Sequence, residues 1–185
     1  MFNIFKKQDK PYQASAFQLY ATAMDAARNP VFFEKYDVPD SLQGRFEVLS
    51  LYVGMLMLRL SESQSEREEA VDLSQALFDA MFADMDQSLR EIGIGDMTIP
   101  KRMKHLMKSL NGRLHAYQEG FEQMDKDSGA ALKNALRRNL FGTQETVSEE
   151  SLSVTAQYLQ KLKAELDGQA VEMLLSGQVS FPKFE

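Results

Sequence analysis

Helical periodicity runs through almost the whole chain, and this pattern constrains the fold more than any other feature of the sequence. Apolar residues recur every three or four positions, as they do on one face of an α-helix. No stretch alternates apolar and polar residues for long enough to predict a strand. A length of 185 residues suffices for one buried core. We therefore predict an all-α, single-domain bundle of about six helices, formed by residues 12–185 behind a short N-terminal tail, residues 1–11.

Prolines and glycines divide this pattern into separate helices. Pro30 follows the first helix, the Gly93–Asp96 turn separates the third from the fourth, and Gly142 stops the fifth. The predicted helices cover residues 12–28, 41–61, 66–92, 99–125, 129–141 and 149–176. The helix at about 41–61 is apolar nearly all round, which predicts that it lies at the centre of the bundle.

Capping residues support three of these helix starts. Asp40 or Ser41 precedes the second helix, and Thr98 precedes the fourth, with a proline tolerated in its first turn. Thr146 with Glu149 has the spacing of a capping box and predicts the start of the last helix.

Charge is distributed unevenly along this acidic chain, whose formal net charge is −6. Residues 62–96 carry ten acidic and two basic side chains, whereas residues 97–118 carry five basic side chains and no acidic one. The acidic helix flank and the basic helix face are candidate partner-binding surfaces. Their residues are Asp72, Asp79 and Asp86 on the first, and Lys101, Lys104, Lys108 and Arg113 on the second.

The basic face has two interpretations. A stripe of lysines is often only the solvated side of a helix. It also suits an acidic partner, a ribosome or an anionic membrane surface. The negative net charge and the lack of interleaved aromatic side chains argue against a dedicated nucleic-acid-binding protein.

No set of residues predicts catalysis or a cofactor. The chain has no cysteine, which excludes disulfides, thiolate metal sites and a cysteine nucleophile. His105 and His115 lie ten residues apart on one helix, about 15 Å along its axis, too far to share a metal ion by themselves. No phosphate-binding loop, dinucleotide fingerprint or nucleophile elbow is present. We expect no catalytic residues, no metal site and no cofactor.

Methionine and phenylalanine are abundant, with 11 and 12 residues, and provide an adaptable apolar surface. Many of them fall on helical core stripes. Others lie in the termini and loops, where helical periodicity does not predict burial, and we expect these to contact a membrane or a client protein. The candidate contacts are Phe2, Ile4, Phe5, Lys6 and Lys7 in the tail, with Phe32, Phe33, Phe181 and Phe184.

Several segments in a consistent order resemble the ubiquinol-cytochrome c chaperone family. An acidic helix that ends in the turn Leu89–Gly95 leads into the basic helix Lys101–Arg113, and a Leu-x-x-Gly-x-Val-x-aromatic segment, Leu174–Phe181, closes the domain. The resemblance covers about residues 42–181. The chain differs at Tyr52, where family members often have histidine, so no role that requires imidazole is transferred.

The resemblance implies a non-enzymatic assembly chaperone that binds cytochrome b while the ubiquinol-cytochrome c reductase (bc1) complex is built. Because the sequence lacks mitochondrial presequence features, we expect a bacterial member. It would work in the cytoplasm, peripherally on the cytoplasmic face of the inner membrane. The alternative function is a helical carrier or sensor for a hydrophobic small molecule such as a quinone or lipid, which predicts an enclosed apolar cavity. The oligomeric state stays open.

Overall fold

The computed structural model describes residues 11–142 and 146–185. All regular structure within these residues is helical, which confirms the all-α prediction. Six helices have ten or more residues and correspond to the six predicted ones: α1 (Gln13–Ala27), α3 (Leu42–Ser61), α4 (Arg67–Glu91), α5 (Ile99–Glu122), α7 (Ala130–Asn139) and α8 (Glu149–Asp167). Single turns of helix connect or follow them: α2 (Val31–Glu34), α6 (Met124–Asp127) and α9 (Val171–Leu175).

The helix α3 lies at the centre of the bundle, as predicted. It packs against α1, α4, α5 and α8. Fourteen of its twenty residues are buried, so no face is left for solvent along most of its length. A helix that is apolar nearly all round is stable only where neighbours cover every side, and the four surrounding helices provide that cover.

The predicted single helix over residues 149–176 is wrong. The helix α8 ends at Asp167, and the chain is extended at Ala170 before α9 begins. Arg59 of the central helix donates from Nε to the carbonyl of Leu166 and from Nη2 to that of Gln169, both at 2.9 Å. A guanidinium that binds the free carbonyls at a helix C-terminus also offsets the negative end of the helix dipole. This contact is tertiary and has no local sequence signal.

Two of the predicted caps need correction. The hydroxyl of Ser41 accepts a hydrogen bond from the amide of Gly44 at 3.1 Å, which confirms the start of α3. Thr98 precedes α5, but its side chain makes no capping hydrogen bond. Ser148, and not Thr146, caps α8 by accepting from the amide of Ser151 at 3.1 Å.

Glycines with positive φ end α4 and α9. Gly93 has φ of 82°, and the amide of Ile94 donates to the carbonyl of Leu89 at 3.1 Å, as in a Schellman cap. This confirms the predicted turn. Gly177 has φ of 83°, and a Cβ atom there would lie 3.0 Å from Cα of Ser15 in α1. The glycine of the closing motif therefore allows both the turn and a close approach to α1.

The C-terminal segment folds back over a group of stacked rings, which we call the aromatic cluster. It consists of Phe32, Tyr36, Tyr52, Tyr158, Phe181 and Phe184. Hydrogen bonds hold the backbone of the segment in place: Asn29 donates to the carbonyl of Phe184 at 2.8 Å, and Tyr36 donates to that of Glu185 at 3.0 Å.

Candidate functional site

A groove with an apolar floor opens where four helix ends meet. It lies between the C-terminal ends of α1 and α4 and the N-terminal ends of α3 and α5, and its volume is about 440 Å³. The apolar side chains that line it are Met24, Ala27, Leu42, Phe46, Leu49, Met85, Leu89, Ile92 and Leu106. Leu42 and Ile92 are more than half exposed at its mouth, so the groove is open to solvent. An open, apolar, methionine-containing groove suits an adaptable contact with an apolar segment.

The rim of this groove carries more positive than negative charge. Arg28, Arg45, Arg102 and His105 line it together with a single carboxylate, Asp84. Arg28 and Arg45 each pair with an exposed carboxylate of their own neighbourhood, Asp25 and Asp40. Arg102 forms no ion pair with any residue in the described ranges. Of the three arginines of the rim, only Arg102 therefore remains available to a negatively charged group beside the apolar floor.

A hydrogen bond from the first helix orients Asp84, the acidic residue of the rim. The hydroxyl of Tyr20 donates to its carboxylate at 2.7 Å. Burial, and then the charge and hydrogen bond of Asp84, raise the pKa of the Tyr20 phenol, so this donor stays protonated at physiological pH.

A buried ion pair joins α3 to α5 behind the groove. The guanidinium of Arg113 donates to both carboxylate oxygens of Glu47, and Gln43 also donates to this carboxylate. The two charged side chains are only 11% and 5% exposed. The prediction that Arg113 belongs to an accessible partner-binding face is therefore wrong: the residue points inward to neutralise a carboxylate that the core encloses.

The three acidic residues predicted as a partner surface lie on α4 but do not line the groove. Asp72 is exposed, and Asp79 is half-buried and accepts from Gln75 at 2.8 Å. Asp86 accepts from Arg90 at 2.7 Å, and this hydrogen bond lowers the pKa of its carboxyl group. The helix α4 thus places apolar side chains in the groove and its acidic flank beside it.

The predicted basic face is exposed at three of its four positions. Lys101, Lys104 and Lys108 all point to solvent. None of these lysines forms an ion pair with a residue in 11–142 or 146–185. The same helix contributes Arg102, His105 and Leu106 to the groove, so the lysines lie next to it and not within it.

The phenylalanines predicted as surface contacts are divided by the structure. Phe32 and Phe184 are buried in the aromatic cluster, 0% and 6% exposed, so their expected exposure is wrong. The two rings pack against each other, and those of Tyr52 and Tyr158 also contact Phe32. Phe33 and Phe181 are partly buried against the core. The residues Phe2, Ile4, Phe5, Lys6 and Lys7 of the tail lie outside the described residues.

The two central tyrosines form a polar contact inside this cluster. Their hydroxyls lie 2.6 Å apart, and Tyr158 also reaches the carbonyl of Pro182 at 3.0 Å. Burial raises the pKa of both phenols, so both stay neutral. The pair links α3 and α8 by a hydrogen bond beneath the C-terminal segment. Tyr52, the position at which the sequence differs from the family that it resembles, therefore has a packing role.

The sequence analysis did not predict this groove. Phe46 and Leu49, two of its lining residues, are buried core residues of α3, whereas Ile92 is 58% exposed at its mouth. Helical periodicity places apolar residues on one face of a helix but does not show where a neighbouring helix ends. Apolar residues at helix ends, such as Leu42 and Ile92, were the available signal. In the described part of the chain no group of three or more histidine and carboxylate side chains is arranged to hold a metal ion. None of its helices has the length and apolarity needed to cross a bilayer.

Comparison with known proteins assigns this architecture to a family. Residues 34–181, most of the chain, match the ubiquinol-cytochrome C chaperone family. The chain belongs to this family. The match extends slightly beyond the region of resemblance predicted from the sequence and has the same C-terminal limit. It confirms the assembly-chaperone function and the family assignment.

Relatives and a solved structure agree with this assignment. The chain is 26% identical over 168 residues to ubiquinol-cytochrome-c reductase complex assembly factor 1 of Xenopus laevis, covering 89% of this chain and 79% of that protein. It is 24% identical to the Mus musculus protein of the same name, of which it spans only 54%. The crystal structure of the Cbp3 homologue from Brucella abortus is similar with a TM-score of 0.77 and 31% identity, covering 93% of this chain and 91% of the other.

Proposed function

We propose that this chaperone binds cytochrome b as its client, without catalysing a reaction, and that the groove holds an apolar segment of that client during assembly of the ubiquinol-cytochrome c reductase complex. The observation that carries the proposal is the open apolar groove itself, with Leu42 and Ile92 exposed at its mouth. The choice of the ubiquinol-cytochrome c reductase complex rests on the family description and on the names of the relatives. We also propose that the protein works on the cytoplasmic face of a bacterial inner membrane, where such a client is inserted.

The chemistry of the groove fits an unassembled membrane helix. Such a helix presents apolar side chains of varied shape, and the flexible thioethers of Met24 and Met85 adapt to different shapes with little loss of contact. A volume of about 440 Å³ is within the range of ligand pockets and admits several side chains of one helix face. The groove therefore offers temporary cover for apolar surface that the finished complex buries.

Charge assigns different surfaces to different parts of the client. The cytoplasmic loops of a membrane protein carry an excess of lysine and arginine, and the groove rim offers them one carboxylate, Asp84, which already accepts a hydrogen bond from Tyr20. The acidic flank of α4 attracts them through Asp72, which is exposed and forms no ion pair with a residue in the described ranges. Because the two surfaces adjoin on one helix, an apolar client segment and its basic flanking loop can be bound together.

The alternative, a carrier for a quinone or lipid, predicted an enclosed cavity. The cavity opens to solvent past two exposed side chains, Leu42 and Ile92, which favours a protein segment over a sequestered small molecule. Native mass spectrometry of the purified protein tests the alternative directly. A retained ligand of one defined mass, displaced by filling the groove through Leu49→Trp, would favour the carrier function.

The client proposal is tested by affinity capture from detergent-solubilised membranes of the producing cell. We expect cytochrome b to co-purify with the chaperone, and the double variant Leu42→Gln/Ile92→Gln to reduce the amount captured by about 10-fold, which corresponds to roughly 1.4 kcal/mol. The matched control is Val71→Gln. Val71 lies on the same helix as Ile92 and is equally exposed, 59% against 58%, but does not line the groove. Equal capture by both variants would contradict the groove as the client site.

A further inference from the structure

A group of unpaired lysines lies beside one fully exposed apolar side chain at the start of α5. Salt bridges elsewhere in the described residues involve Arg28, Arg45, Arg90, Arg113, Arg137, Lys163 and His115. Lys101, Lys104 and Lys108 are exposed and have no such partner, although the chain has a net charge of −6. In an acidic protein, three neighbouring cations without carboxylate partners remain available to a negatively charged surface outside the chain.

The three lysines lie on one side of the helix. Their spacing of three and then four residues keeps them within one face, and the face extends about 10 Å along the helix axis. The one acidic neighbour in the turn before α5 is Asp96, whose carboxylate is bound by Arg90 at 2.5 Å. The positive charge of this face is therefore not cancelled locally.

Met97 is the most exposed large apolar side chain of the described residues, at 97%. It lies in the turn that leads into α5, four residues before Lys101, and none of the described helices covers it. A single exposed methionine is ordinary on a surface, but an apolar tip next to a cationic face is the arrangement that peripheral membrane proteins use. In such proteins the lysines meet anionic headgroups while the apolar side chain enters the boundary of the acyl chains.

We infer that Met97, Lys101, Lys104 and Lys108 form a docking face for bilayers that contain anionic phospholipid. The inference rests on the proposed function in one respect, because it assumes that the groove binds a client at the membrane and adds how the groove is held there. The groove residues Arg102 and Leu106 lie on the same helix, and Ile92 at the groove mouth lies five residues before Met97. Docking through this face therefore holds the groove close to the bilayer surface.

Two other occupants fit this face less well. Single-stranded RNA is usually held by aromatic side chains on which bases stack, and residues 92–108 contain no phenylalanine, tyrosine or tryptophan. The cytoplasmic loops of the client carry positive charge and are repelled by the lysines. An anionic bilayer complements both the charge of the lysines and the apolar Met97.

The inference is tested by flotation of the full chain with vesicles of phosphatidylcholine alone or mixed with phosphatidylglycerol. We expect binding only to the mixed vesicles, weakened by added salt. The variant Lys101→Gln/Lys104→Gln/Lys108→Gln should bind on the order of 100-fold more weakly at low ionic strength. Met97→Ser should bind roughly 5-fold more weakly, with its salt dependence unchanged.

A matched control separates the effect of this face on vesicle binding from the effect of the protein's net charge. Lys126, Lys161 and Lys183 are also exposed lysines without ion-pair partners in the described residues, and they lie on other elements. The variant Lys126→Gln/Lys161→Gln/Lys183→Gln changes the net charge equally and should retain vesicle binding within about 2-fold. Equal losses in the two triple variants would overturn the inference.

Deletion of residues 1–10 tests whether the N-terminal tail binds the vesicles instead. If the deletion abolishes flotation and the α5 variant does not reduce it, the inference is wrong. It is also wrong if the α5 variant loses binding to a single-stranded oligoribonucleotide and keeps binding to vesicles. The groove variant Leu42→Gln/Ile92→Gln should float normally while it fails to capture the client, so failure of the docking face and failure of the client groove give different results.

Discussion

The aromatic cluster and the groove are both apolar regions beside the central helix, yet the chain covers only the first of them. In the aromatic cluster, the C-terminal segment supplies its own rings, Phe181 and Phe184, and three of its carbonyls accept hydrogen bonds from Tyr158, Asn29 and Tyr36. In the groove, nothing within the described residues performs this role, and Leu42 and Ile92 remain exposed.

The composition of the two regions matches this difference. The covered region contains rings with few rotamers, which pack in one arrangement and make a fixed core. The open region contains Met24 and Met85, whose flexible side chains suit changing partners. Apolar composition alone therefore does not distinguish a core from a binding site. The two regions differ in whether a segment of the chain crosses them and forms hydrogen bonds with the polar side chains at their edge.

The largest expected effect tests whether the aromatic cluster is structural. Phe32→Ala removes a fully buried ring from contact with four others and should lower the free energy of unfolding by about 3–5 kcal/mol. Met85→Ala, in the half-buried lining of the groove, should cost only about 1 kcal/mol. Urea denaturation followed by circular dichroism measures both values. Equal losses would remove the distinction between the two regions.

The next effect concerns the ion pair behind the groove. Arg113→Ala leaves the carboxylate of Glu47 buried without its cation and should cost about 3 kcal/mol of stability. Lys108→Ala, five residues earlier on the same helix but exposed, should change stability by less than about 0.5 kcal/mol. Thermal unfolding of both variants provides the measurement. A stable Arg113→Ala protein with impaired client capture would restore Arg113 to the partner-binding residues.

A smaller effect is expected where the closing segment turns. Gly177→Ala places a side chain at positive φ and against Ser15 and should destabilise the protein by about 2 kcal/mol. Gly112→Ala is the control, because a Cβ atom there meets nothing and φ is helical. It should stabilise the protein by about 0.5–1 kcal/mol. The opposite signs, read from urea midpoints, would show that the closing motif requires its glycine for backbone reasons.

The smallest expected effect is a pH-dependent change in stability. It arises from Asp37 at the N-terminal cap of α8, beside the aromatic cluster. Hydrogen bonds from Ser151 and Ser148 lower the pKa of Asp37 from its ordinary value of 3.8. A lowered native pKa contributes stability that is present above 3.8 and is lost as the pH falls through the native value. Asp37→Asn should therefore cost less than about 1 kcal/mol at neutral pH, since the carboxylate is exposed and screened.

Urea titrations at a series of pH values check this prediction. The stabilities of the wild type and of Asp37→Asn should converge as the pH falls below 3.8 and through the lowered native pKa, because the wild-type carboxyl group then becomes neutral. A difference that stays constant over this range would assign the effect to geometry and not to charge.

The fold was largely predictable, because helix periodicity and chain breakers are local. The six long helices, the glycine turn after α4 and the Ser41 cap all follow from spacing within a few residues. The break after α8 was not predictable, because Arg59 lies more than a hundred residues away along the chain from the carbonyls it binds.

The candidate site shows the same division. The exposed lysines of α5 followed from helical spacing, but the inward turn of Arg113 required knowledge of Glu47 on a different helix. The burial of Phe32 required the C-terminal segment to return across the bundle. Whether a side chain in a loop is exposed or covered depends on partners that are often distant in the sequence.

By itself, the sequence determined an all-helical bundle, a central apolar helix, an acidic and a basic surface, and the family to which the order of these segments corresponds. Each of these depends on residues near one another in the chain. Only the tertiary structure decided which apolar surface was closed and which stayed open. The aromatic cluster is closed because the hydrogen bonds to the C-terminal segment satisfy its backbone as it passes over the rings. The groove stays open because four helices end there and no described segment of the chain crosses them.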